Sequence, residues 1–71
     1  MNIIYVRLLD EGVNVYRPVQ AVAITSLVYE IKADDSYDPE DEHWEFPPGS
    51  KVIVEEKILE KKTVLVATAG V

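Results

Sequence analysis

Runs of strand-forming residues, each closed by turn chemistry after a few positions, are what most constrain this chain. Ile3-Ile4-Tyr5-Val6-Arg7-Leu8-Leu9 is dense in β-branched and aromatic residues, which suit a pleated, partly buried surface. Its near-continuous apolar character predicts burial on both faces for part of its length. Asp10-Glu11-Gly12 then supplies a turn, with Gly12 free to take a positive φ. From Val13 to Ile24 the residues alternate again, but Pro18 interrupts them. Proline has no N–H for a ladder bond, so this strand must be an edge, be bulged or be split there. Proline also suits the first position of a helix, which leaves a short helix over 19–24 as the alternative.

The rest of the chain repeats the pattern. Thr25-Ser26 reads as a tight reversal, after which Leu27, Tyr29 and Ile31 alternate with Val28, Glu30 and Lys32. Pro48-Gly49 fits the centre of a type II turn, with proline presetting one φ and glycine taking the positive one. Lys51 to Leu59 then alternates as a long strand, Glu60-Lys61-Lys62 is a polar hairpin tip, and Thr63 to Ala67 returns. Five strands in 71 residues predict an all-β fold, a small five-stranded antiparallel barrel with one long acidic loop. Residues 1–71 are read as a single β-barrel domain.

That loop carries the charge. Asp34, Asp35, Asp38, Glu40, Asp41, Glu42 and Glu45 are seven of the 13 acids, and they share the segment with the only Trp and the only His. Elsewhere six acids (Asp10, Glu11, Glu30, Glu55, Glu56, Glu60) meet seven bases (Arg7, Arg17, Lys32, Lys51, Lys57, Lys61, Lys62), so the net charge of −6 belongs to this one segment.

The balance argues against direct nucleic-acid binding, which draws its affinity from Lys and Arg on phosphates. There is no cysteine, hence no disulfide, thiolate metal site or thiol nucleophile. Met1-Asn2-Ile3-Ile4 lacks the basic and long apolar regions of a signal peptide. No run approaches the ~18–20 apolar residues of a membrane span. A cytoplasmic protein is expected, without a membrane partner.

The acidic segment invites three kinds of site. A calcium loop aligned from Asp34 puts oxygens at Asp34, Ser36, Asp38 and Glu45. Its sixth position should be glycine and is Pro39, its eighth should be aliphatic and is Asp41, and no helix flanks it. No metal site and no cofactor are therefore assigned. Acid–base catalysis needs carboxyls held in contrasting environments, and Asp41, Glu42 and Glu45 lie in a stretch too polar to promise that. His43 has no evident nucleophile, and Gly12, Gly49 and Gly70 are too scattered for a phosphate loop. No catalytic residue is assigned, and the protein is read as no enzyme. Trp44 and Phe46, two apart, face the same side of an extended segment. They either fold back to cap the barrel, or Trp44 joins Tyr37 as an exposed aromatic platform ringed by acids, as binding hot spots are built.

Two resemblances rest on these residues. Tyr37-Asp38-Pro39, the acidic run, Glu45-Phe46-Pro47-Pro48-Gly49-Ser50 and the strand from Val52 resemble part of an SH3-type domain. There an acidic loop leads through a diverging turn into a strand and helps bind proline-rich or basic peptides. The resemblance implies an SH3-like barrel. The aromatic pair and proline that complete that peptide groove are not found in Lys57 to Val71, so peptide binding is not carried over. Leu8-Leu9-Asp10-Glu11-Gly12, Arg17-Pro18-Val19, Asp38-Pro39-Glu40-Asp41-Glu42 and Trp44 to Ser50 are similar to a group of short, uncharacterised bacterial proteins. That similarity implies a stand-alone bacterial cytosolic protein and brings no activity.

The functional expectation is a non-catalytic protein-interaction module. Asp38, Glu40, Asp41 and Glu42 would steer a protein partner with a basic surface, and Tyr37 or Trp44 would supply contact area. The alternative is an inhibitor or immunity-type protein whose acidic loop fills a nucleic-acid-binding or enzyme groove. A metal- or small-ligand-binding barrel is the weaker third reading. Homo-oligomerisation is left open.

Overall fold

A computed structural model describes residues 2–12, 15–32 and 37–71. Val13 and Asn14, where the second strand was expected to begin, lie outside the described residues, as do Asp34, Asp35 and Ser36 of the acidic segment. The fold is all-β. Its strands are β1 (Asn2–Leu9), β2 (Tyr16–Ala23), β3 (Val28–Ile31), β4 (His43–Trp44), β5 (Lys51–Leu59) and β6 (Lys62–Gly70). Residues 19–23 are strand, not helix.

Five strands form a ring. β1 pairs with β2, β2 with β3, β3 with β5 and β5 with β6, all antiparallel, and β6 returns to β1 through a parallel contact at Tyr5 and Val66. The parallel contact is obligatory. Strand direction cannot alternate all the way round an odd-numbered ring, so one neighbouring pair must run the same way. β4 is a sixth, two-residue strand on β1, opposite Leu8 and Leu9.

Side chains alternate between the inside of this ring and solvent. Ile4, Val6 and Leu8 of β1, Val19 and Ala21 of β2, Ile31 of β3, and Val52 and Val54 of β5 are buried together. The apolar run of β1 is thus buried on one face, with Tyr5 and Leu9 half-buried and Ile3 54% exposed.

Pro18 fits because of register. Leu8 N–H donates to Val15 O at 2.8 Å, so hydrogen-bonded β1–β2 pairs recur every second residue from there. Tyr5–Pro18 is then a non-hydrogen-bonded pair, and the nitrogen of Pro18 faces away from β1. Among the described residues β3 pairs with β2 at residues 21–23, with Lys32 N–H reaching Gln20 O at 2.9 Å. Among the described residues no strand pairs with β2 at Pro18 on that side.

The turns follow their residues. Ser50 N–H donates to Pro47 O at 3.1 Å and Gly49 has φ 91°, the type II turn expected of Pro48-Gly49. Thr25 Oγ1 accepts from Leu27 N–H and Val28 N–H at 3.2 and 3.1 Å, closing the reversal there. The β5–β6 tip departs from good turn chemistry. Glu60 and Lys61, between the paired Leu59 and Lys62, have φ 50° and 68°, the geometry of a two-residue hairpin turn that prefers Asn-Gly. β6 also runs past the expected Ala67, because a bulge between Ile53 and Val54 admits Thr68 as an extra residue.

Replacing Glu60-Lys61 by Asn-Gly removes the left-handed strain from two ordinary side chains. A gain of about 1 kcal/mol is expected, read as a higher urea midpoint with an unchanged slope.

Candidate functional site

The excursion from β3 to β5 is clamped at its base. Gly49 N–H donates to Ile31 O at 2.8 Å, and Ile31 N–H donates to Ser50 O at 2.9 Å. Between those bonds the chain crosses to β1, where Glu45 N–H donates to Arg7 O at 2.8 Å beside β4.

Residues 38–42 form a turn built by its own aspartate. Asp38 O accepts from Asp41 N–H at 3.0 Å and Glu42 N–H at 2.9 Å, and Asp38 Oδ1 accepts from Glu40 N–H at 2.9 Å. Such side-chain-to-backbone bonds two residues on are a habit of aspartate in turns. Pro39 has no N–H to satisfy there and presets its own φ.

Trp44 is 4% exposed and part of the core. His43, its neighbour on β4, points outward, and its Nδ1 lies 3.5 Å from Asp10 Oδ2. The half-buried Tyr37 packs on Trp44, with ring centroids 4.6 Å apart and planes inclined by 53°. Phe46 is half-buried and also packs against the core. The two aromatics thus share a side and pin the segment down.

Glu42 joins this base. Its Oε1 accepts from the Trp44 indole N–H at 3.1 Å and lies 3.3 Å from Arg17 Nε. A buried indole N–H needs a partner, and Glu42 provides it.

The six residues singled out by sequence therefore divide. Tyr37, Glu42 and Trp44 are brought together as the support of the segment. Asp38 is exposed, with one carboxylate oxygen engaged on its own turn, and Glu40 and Asp41 are exposed above it. Trp44 gives almost no surface to a partner in this arrangement. Arg17 is the residue that sequence reasoning did not connect to the site. It stands on β2, and nothing local in Tyr16-Arg17-Pro18 announces a bond to Glu42.

Among the described residues no group of three or more His, Asp or Glu is placed to hold a metal ion. Asp34 and Ser36, two oxygens of the calcium alignment, lie outside the described residues. Among the described residues no helix is long and apolar enough to cross a membrane. An outer cleft of about 530 Å³ lies elsewhere, between Tyr5, Tyr16 and Pro18 on one side and Ile58, Leu59 and Val64 near the hairpin tip.

No family model matches the chain. Neither a curated protein nor a solved structure matches it. The geometry of the acidic segment is therefore the ground for a functional reading.

Replacing Glu42 by Ala leaves the indole N–H unpaired and should cost about 1–2 kcal/mol. Trp44→Ala should cost about 3–5 kcal/mol, as a large core side chain is lost. Arg17→Ala removes only an exposed ion pair and should cost less than about 1 kcal/mol. Urea unfolding followed by circular dichroism reads all three.

Proposed function

We propose that this protein is a non-catalytic protein-interaction module that presents an acidic turn to a basic protein surface. One observation supports the reading above the others. Glu40 and Asp41 are exposed on a turn whose backbone is held by Asp38 and whose base is held by Glu42 and Trp44. Charges on a pre-ordered turn lose less freedom on binding than charges on a loose tail. Their field speeds encounter with an oppositely charged surface and discriminates against acidic ones. Asp38 adds to that field, and the half-buried Tyr37 offers an aromatic edge beside it. Glu42 and Trp44 act from beneath. This reading treats the ring as an SH3-like barrel working in the cytoplasm.

Its test is affinity capture from the source lysate, comparing the wild type with a Glu40→Gln/Asp41→Asn variant. These substitutions leave the supporting bonds alone, so the unfolding midpoint should not move. Capture of the partner should fall by about tenfold, and in the wild type it should weaken as salt is raised. Equal capture of the same proteins by both forms at low salt would show the reading to be wrong.

A further inference from the structure

The strand registers set exposed apolar side chains in rows on the outside of the ring. One row crosses β2, β3, β5 and β6 as Ile24, Val28, Ile53 and Ala69. Ile24 N–H donates to Val28 O at 2.8 Å, Val28 pairs with Ile53, and Ile53 pairs with Ala69. The next row is Val22, Glu30, Lys51 and Val71. Val22 pairs with Glu30, Glu30 pairs with Lys51, and Val71 N–H donates to Lys51 O at 2.9 Å. Both rows face outward, because Ala21, Ile31 and Val52, which adjoin Val22, Glu30, Lys51 and Ile53 along their strands, are buried. Ile24 is 49%, Ile53 39%, Val22 40% and Val71 76% exposed. A largely apolar outer face with one acid and one base at its centre fits an interaction surface.

We propose that this face is the contact of a two-fold symmetric dimer of the chain. The reason is the order of residues within the rows. A two-fold axis running along the strands, between β3 and β5, lays each row on its own copy in reverse. Glu30 then meets the partner's Lys51, Val22 meets the partner's Val71, and Val28 meets the partner's Ile53. No like charges oppose each other, and every apolar position finds an apolar one. Self-complementarity under a two-fold is the requirement of an isologous interface, and aligned face-to-face packing is a standard way for sheets to meet.

Charge elsewhere agrees. These rows hold one acid and one base, so they select no partner of a single sign. The acidic segment is attached through β4 to β1, which lies across the ring from β3 and β5. Two copies can therefore approach with their acidic turns, residues 38–42, turned away from each other. A standard interface takes about 800 Å² from each partner, about a sixth of the 4902 Å² surface of this chain. Such a dimer displays two acidic turns on opposite sides.

Sedimentation equilibrium on the full chain tests this. The wild type should be dimeric at micromolar concentration, and Ile53→Glu should weaken association at least about tenfold. Glu30→Lys and Lys51→Glu should each weaken it too, because each sets like charges across the axis. Mixing those two variants should restore association as a heterodimer, although the pairing within each chain stays broken. Circular dichroism checks that each variant keeps its fold, and the mixing result stands without Ile53→Glu if that protein does not fold. A wild type that is monomeric at about 100 µM overturns the proposal. So does a mixture that associates no better than either variant alone, or a monomer that floats with neutral phosphatidylcholine vesicles.

Discussion

The backbone edge of β1 is the constraint on which the structure depends. β1 supplies Ile4, Val6 and Leu8 to the core, and β2 covers one of its edges along most of its length. The other edge is shared by two strands. β6 reaches it in parallel at Tyr5, the orientation that an odd-numbered ring requires of one pair. An uncovered edge is an invitation to wrong pairing. The acidic segment meets the shortfall, with β4 opposite Leu8 and Leu9 and the Glu45 amide on Arg7.

This dual duty explains why so polar a segment holds a defined shape. A run of acids would repel itself in open solution, yet each support here has a physical partner. Asp38 bonds the amides of its own turn, Glu42 bonds a buried indole and an arginine, and Trp44 contributes apolar area to the core. Glu40 and Asp41 are the carboxylates exposed on the turn that these bonds hold. Structural and displayed acids sit next to one another in sequence, and composition alone counts them as one group.

Legibility followed the range of the forces involved. The limits of β1, β3 and β5 were readable to within a residue or two, because alternation and turn residues act locally. The Pro48-Gly49 turn was readable for the same reason. β4 was not, since His43-Trp44 has no strand pattern and becomes strand only by docking on β1. The bulge at Ile53 and Val54, which lengthens β6, is likewise a product of pairing. At the site, the clustering of acids around Tyr37 and Trp44 was visible, but the division of labour between Glu42 and its neighbours was not. That division depends on Arg17, twenty-five positions away in sequence.

The amino-acid sequence by itself determined that this chain is all-β, where it turns, and that its net charge lies in one segment. Those properties arise from backbone preference, two-residue periodicity and composition, which neighbouring residues express without help. Tertiary structure alone decided that the strands close into a ring with one parallel contact, and that Trp44 lies inside. It also decided which acids are tied down and which are shown. These outcomes depend on pairing between distant strands, where burial of an indole or satisfaction of an edge outweighs any local preference.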